Sequence, residues 1–94
     1  MALLERDEID HRIRELDGWD LEGNAIVKQF KRGDFSGSVE LVDRIAPVAN
    51  EMNHHPDLGI SWDTVTVTIT THSEGGLTAS DFELAERIDA VAGG

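Results

Sequence analysis

Residues Val65 to Thr70 alternate strictly between branched apolar side chains and threonines. Successive side chains of a β-strand point to opposite faces, so this run predicts a strand with one buried and one solvated face. We expect the strand to span residues 65–71. Residues 58–62 form another strand-like run, and the short Asp63-Thr64 connection predicts a tight turn between the two. This hairpin predicts an antiparallel sheet, and the other segments of the chain must either join that sheet or pack against it.

A second hairpin is predicted earlier in the chain, with strands at 19–21 and 25–31 that are joined by turn-forming residues. Three other segments place apolar residues at helical spacing, and they lie before, between and after the two hairpins. The order is therefore α-β-β-α-β-β-α. We expect a single α+β domain over residues 1–94, in which three helices pack on one face of a four-stranded antiparallel sheet. The helical segments are residues 4–16, residues 34–53 and a segment that begins at Thr78.

The last helix has a well-defined start signal. Thr78 and Asp81 have the spacing of a capping box, and Leu77 and Phe82 have that of a hydrophobic staple. In the central helix, Pro47 removes a backbone donor and crowds the preceding turn, so we expect a kink or an early end there.

The composition excludes several function classes. Nineteen acidic residues face eight basic ones, for a formal net charge of −11, so a basic nucleic-acid interface is not expected. There is no cysteine, which excludes thiol catalysis and thiolate metal sites. No apolar run reaches transmembrane length, and the acidic N-terminus does not resemble a signal peptide. We expect a soluble cytoplasmic protein, without membrane association. The scarcity of lysine beside abundant acids is typical of proteins in a high-salt cytosol, and the alternative is an ordinary acidic protein.

The chemistry-bearing residues are histidines. Three of the four fall within nineteen positions, at His54, His55 and His72. Strict strand alternation would place His72 on the threonine face. One reading is that they are solvated loop residues; a second is a zinc site, although zinc-binding histidine pairs usually stand three or four apart. The third reading is metal-free acid–base chemistry, since the ordinary pKa of imidazole suits proton transfer at neutral pH.

The spacing of these residues resembles a known family signature. His54-His55-Pro56 is followed by five residues and Trp62, by nine more and His72, and by eight more and Asp81. This pattern is similar to the signature of the pterin-4a-carbinolamine dehydratases. Further matches in family order cover nearly the whole chain: Gly18-Trp19, Asn24-Ala25-Ile26, Lys28-Gln29-Phe30, Asp34-Phe35, Thr70-Thr71-His72 and Gly76-Leu77-Thr78.

The resemblance implies a hydro-lyase that removes water from 4a-hydroxytetrahydropterin to give the quinonoid dihydropterin. It implies histidine acid–base catalysis without a metal or a cofactor. His54 and His72 would then be the acid–base residues, and His55 would bind and orient the pterin. Further substrate-binding positions implied by the family are Asn53, Thr70, Thr71, Ser73, Trp19 and Asp81.

The chain departs from the family pattern in two places: at Asn50, which bears on proton transfer, and at Pro47, which bears on the helix end that presents His54. Many family members carry an acidic residue four positions before the first histidine, where this chain has Asn50. Glu51 is adjacent to that position but lies on a different helix face.

The resemblance also bears on partners. We expect a homodimer or homotetramer: the exposed edges of a small four-stranded sheet favour pairing into a dimer, and the family also makes tetramers through its long central helix. The alternative function is a non-catalytic dimerisation or interaction module that keeps the same fold.

Overall fold

A computed structural model describes residues 2–93 of the protein. Its helices and strands follow the predicted α-β-β-α-β-β-α order, with one additional 3₁₀ helix before the last α-helix. The elements are α1 (Arg6–Glu15), β1 (Asp20–Glu22), β2 (Ala25–Lys31), α2 (Phe35–Met52), β3 (Asp57–Ser61), β4 (Thr64–Ile69), the 3₁₀ helix (His72–Glu74) and α3 (Ala79–Gly93).

The four strands form one antiparallel sheet in the order β1-β2-β4-β3. The two predicted hairpins therefore join through their second strands, and β1 and β3 are the two edges. The predicted alternation is confirmed in β4, where Val65, Val67 and Ile69 are fully buried and the threonines between them are half-buried. The apolar face of the sheet packs against the helices, so the predicted α+β architecture is confirmed.

The core lies between the sheet and the two longer helices. α2 contributes Leu41 and Ile45, and α3 contributes Phe82 and Ile88. α1 has no fully buried residue, and its apolar side chains pack against the edge of this core. Among residues 2–93, no helix combines the length and the apolar character that crossing a membrane requires.

The expectation of an early helix end at Pro47 is wrong, because α2 continues to Met52. Proline removes one helical hydrogen bond, at a cost of about 3 kcal/mol in a helix interior. Pro47 and Asp43 are both exposed, so water can solvate the carbonyl that loses its partner. Ile45 and Ala49, on either side of the proline, are buried and fasten the helix to the core.

The β3–β4 turn lies one residue earlier than predicted. Ser61 pairs with Thr64, so the turn consists of Trp62 and Asp63. Trp62 has a left-handed backbone conformation with φ of 52°, which is uncommon outside glycine. The buried Ser38 of α2 holds this turn by donating a hydrogen bond of 2.7 Å from its Oγ to the Trp62 carbonyl.

One end of the sheet gathers the segments that carry the predicted site. Asp57, at the start of β3, pairs with Thr68, near the end of β4. The residues just before β3 and those just after β4 therefore lie side by side. The start of β2 reaches the same end, because Ile26 pairs with Ile69.

Candidate active site

The adjacent histidines follow the C-terminus of α2. Asn53 adopts a left-handed conformation there, with φ of 51°. Its N–H donates to Asn50, and the His54 N–H donates to Ala49, which is the hydrogen-bond pattern of a Schellman motif. The motif ends the helix and turns the chain sharply. As a result, the two histidine rings lie beside different elements.

His54 points toward the start of α3. Its Nε2 donates a hydrogen bond of 2.6 Å to Oδ1 of Asp81, across 27 positions of sequence. The Asp81 side chain is fully buried and that of His54 is 16% exposed. An ionised carboxylate can only accept hydrogen bonds, so the proton of a neutral His54 sits on Nε2 and Nδ1 is left with a free lone pair.

Asp81 has further partners on its second oxygen. Oδ2 accepts from the Thr78 backbone N–H at 2.7 Å and from Oγ1 of Thr71 at 2.8 Å. Because the only hydroxyl hydrogen of Thr71 is used in this way, Thr78 must donate to Thr71 across their 3.0 Å contact. One hydrogen bond of the predicted capping box, from the Thr78 backbone N–H to the Asp81 side chain, is thus present. The Thr78 hydroxyl hydrogen-bonds to Thr71.

His55 has a different partner. Its Nε2 lies 2.9 Å from Oδ1 of Asn50, and both residues are exposed. Glu51, the neighbouring carboxylate, accepts instead from Arg87 of α3 at 2.6 Å. That hydrogen bond raises the pKa of Arg87 above its ordinary value. The acid that follows Asn50 in the sequence is therefore engaged in a contact that joins α2 to α3.

β4 ends at Ile69, and His72 is the first residue of the 3₁₀ helix, so His72 lies outside the strand. Strand alternation therefore does not determine its direction. Its side chain is 77% exposed, and its Nε2 lies 4.0 Å from Oδ2 of Asp57, which is 75% exposed. Asp57 comes two residues after His55, so this contact places His72 beside the segment that carries the other two histidines.

The other predicted site residues divide into two groups. Asn53 and Ser73 are exposed at the site end of the sheet, and Thr70 donates from Oγ1 to the Asn24 carbonyl at 2.5 Å there. Trp19 lies elsewhere. It is 4% exposed, and its indole N–H donates to Asp89, which is eight residues beyond Asp81 and so about 12 Å further along α3.

Sequence reasoning did not identify three contacts of the site: His54 with Asp81, His72 with Asp57, and His55 with Asn50. Asp57 directly follows His-His-Pro, and this adjacency was the available signal. Asn50 was noted as a departure from a family pattern, but its contact with His55 depends on the turn at Asn53. Within residues 2–93, no three His, Asp or Glu side chains are grouped so as to hold a metal ion.

Comparison with known proteins identifies the family of the chain. The model of the pterin 4 alpha carbinolamine dehydratase family matches residues 2–91. The chain belongs to that family. The predicted resemblance is therefore confirmed.

Relatives support the same assignment over nearly full length. A Sulfolobus acidocaldarius protein, provisionally named a pterin-4-alpha-carbinolamine dehydratase, is 47% identical over 94% of this chain and 97% of its own length. A Mycobacterium tuberculosis protein with the same provisional name is 39% identical, over 99% of both chains.

Solved structures agree on the fold. A transcriptional coactivator/pterin dehydratase from Brucella melitensis superposes with a TM-score of 0.91 at 35% identity, over 97% of this chain and 99% of that one. A pterin dehydratase-like protein, described as a RuBisCO assembly factor in the alpha-carboxysome, has a TM-score of 0.65 over 80% of this chain and 87% of its own. It is 22% identical to this chain and shares the fold.

Proposed function

We propose that the protein dehydrates 4a-hydroxytetrahydropterins by histidine acid–base catalysis. The observation that carries the proposal is the pairing of His54 with the buried Asp81, at the sheet end to which His72 also belongs. A buried carboxylate behind an imidazole is the arrangement by which enzymes orient a general base and stabilise its protonated form.

The reaction needs one proton acceptor and one proton donor. The base removes the proton from N5 of the pterin, and the N5 electron pair forms the C4a=N5 double bond. The C4a–O bond breaks, and the leaving hydroxyl takes a proton from the acid and departs as water. Proton exchange with solvent restores both groups, so no redox partner is required.

We assign the base to His54. Its Nε2–H is held by Asp81, so Nδ1 is the atom that accepts the proton from N5. The resulting imidazolium would lie against the Asp81 carboxylate, which accepts a hydrogen bond from it in either protonation state. Asp81 has no exposed surface, so its role here is to position His54 rather than to contact the pterin.

We assign the acid to His72. Its exposed ring can be reprotonated directly by water after each turnover, and Asp57 stands beside it. His55 would bind the pterin, with Asn53, Thr70 and Ser73 around the ring edge. Thr71 differs from its expected role, because its hydroxyl is used by Asp81 and Thr78.

The decisive experiment follows the decay of a 4a-hydroxytetrahydropterin by its absorbance. Purified protein should accelerate the decay, and the protein carrying His54→Ala together with His72→Ala should return it to the uncatalysed rate. Circular dichroism of both proteins controls for folding. No acceleration by the wild-type protein at any concentration tested would overturn the proposal.

We also propose that the protein works as a homo-oligomer that pairs through β3. All five residues of this edge strand are exposed, and Leu58 and Ile60 remain 37% and 41% exposed. Phe35 and Val39 of α2 are also exposed, at 56% and 39%, which offers a helix surface for further association. Light scattering should show dimers or tetramers that strengthen as salt screens the net charge of −11. A monomer at every salt concentration would contradict this.

The second candidate is a non-catalytic interaction module. The exposed Trp62, at 67%, together with Phe35 favours a binding surface. The decay experiment separates the two functions, because a module would leave the decay rate unchanged and would tolerate loss of the histidines.

A further inference from the structure

The contact between His55 and Asn50 favours the same ring tautomer as the contact between His54 and Asp81, but the partner of His55 carries no charge. His55 follows Asn50 by five positions, which is beyond the usual reach between neighbours on a helix face. The contact exists because the helix ends at Met52 and the left-handed Asn53 folds the chain back over the last turn. The geometry of the helix end therefore brings the amide and the ring together at 2.9 Å.

The partner of His55 is neutral. The Asn50 oxygen that faces Nε2 can only accept a hydrogen bond, so Nε2 carries the proton. Nδ1 of the neutral ring is then left as an acceptor. The one acid adjacent to this position, Glu51, is held by Arg87.

We propose that Asn50 is a positioning residue, whose amide oxygen fixes the Nε2–H tautomer of His55 and presents Nδ1 as a neutral acceptor for an N–H group of the bound pterin. The proposal rests on the proposed dehydratase function and adds to it a means of selecting the ligand edge. Tetrahydropterins carry several ring N–H donors, whereas a protonated His55 could only donate and would face them unfavourably. Asn50 thus makes His55 a binding group, while Asp81 makes its neighbour His54 a proton carrier.

The test reads the tautomer of His55 without any ligand. Nitrogen-15 NMR of the imidazole ring, recorded on the neutral form, should show the proton on Nε2 in the wild-type protein. In Asn50→Leu, which keeps the side-chain size but removes the acceptor, the ring nitrogens should shift toward the average of two interconverting tautomers. In Asn50→Asp, whose carboxylate also only accepts, the Nε2 proton should be retained.

Kinetics provide the second readout. Asn50→Leu should raise KM about two- to threefold, because only the fraction of His55 rings with the proton on Nε2 can bind, and should leave kcat unchanged. Ser36→Asp is the charge-matched control for Asn50→Asp. It adds one carboxylate to an exposed position of the same helix, about 21 Å away, and should change neither the His55 spectrum nor KM.

Three results would overturn the proposal: a proton on Nδ1 in the wild-type protein, a His55 spectrum unchanged by Asn50→Leu, or a fall in kcat with KM unaffected. Failure of the dehydratase function would look different. It would appear as a wild-type protein without activity, while the NMR spectra would still report whether Asn50 sets the tautomer.

Discussion

His54 and His55 are neighbours in sequence, yet their surroundings are opposite. His54 is mostly buried and donates to a carboxylate with no exposed surface. His55 is exposed and contacts a neutral amide in the last turn of α2, the helix that precedes it. The comparison shows that the hydrogen-bond partner of each ring, charged or neutral, determines whether the ring is suited to carry a proton or to bind the ligand. A partner on α3 stabilises a proton carrier, whereas a partner on α2 holds a neutral binding group.

The largest effect should come from the proton-carrying side of this comparison. His54→Ala should lower kcat by about 10²–10⁴-fold, the usual cost of losing a general base, with little change in KM. His72→Ala should have an effect of the same order, and the double variant should lose less than the product of the two. Steady-state and stopped-flow dehydration assays would check this. Near-normal turnover of either single variant would contradict its assignment.

The second prediction concerns the carboxylate behind His54. In Asp81→Asn, the Thr71 hydroxyl and the Thr78 backbone N–H both require an acceptor, so the amide oxygen faces them. The NH₂ group of the new asparagine then faces His54. His54 would then accept through Nε2 and carry its proton on Nδ1, the wrong tautomer for a base. We expect kcat to fall at least about 10²-fold, because the catalytic atom loses its free lone pair.

The same NMR experiment that reads His55 should show the His54 proton moving to Nδ1 in this variant. Asp89→Asn is the matched control, since Asp89 is another hydrogen-bonded aspartate of α3 that contacts Trp19 and Lys28. It should leave the His54 tautomer unchanged. If Asp81→Asn keeps its tautomer and its turnover, Asp81 is only a helix cap.

The third prediction concerns the binding side. His55→Gln should raise KM about tenfold with a smaller fall in kcat, because a ground-state hydrogen bond contributes about equally before and in the transition state. A titration with a stable dihydropterin should show the matching loss of affinity. A loss of kcat as large as that of His54→Ala would mean that the two neighbours share one role.

Part of this comparison could be predicted from sequence, and part could not. Local patterns were sufficient for the β4 alternation and for the bond between Asp81 and the Thr78 backbone, since both depend on residues a few positions apart. The contact of His54 with Asp81 joins the segment after α2 to α3 across 27 positions, and no local pattern encodes it. The early helix end expected at Pro47 was wrong for a related reason. The local cost of the proline is real, but burial of Ile45 and Ala49, which depends on the whole fold, outweighs it.

The smallest predicted effect tests whether the Asp81 network stabilises the fold as well as the site. Thr71→Val keeps the shape of the buried side chain but removes the hydroxyl that donates to Asp81 and accepts from Thr78. A buried group left without its partner costs about 1–3 kcal/mol, so the free energy of unfolding should fall by roughly 1–2 kcal/mol. In a domain of this size, each 1 kcal/mol lowers Tm by about 4–8 °C.

Thr68→Val, on the solvated face of β4, is the control and should change stability by less than about 0.5 kcal/mol. Because Thr78 still donates its backbone N–H to Asp81, the His54 tautomer should survive in Thr71→Val and kcat should fall less than in Asp81→Asn. Equal stability of Thr71→Val and Thr68→Val, measured by urea unfolding, would show that the hydroxyl does not contribute to the network.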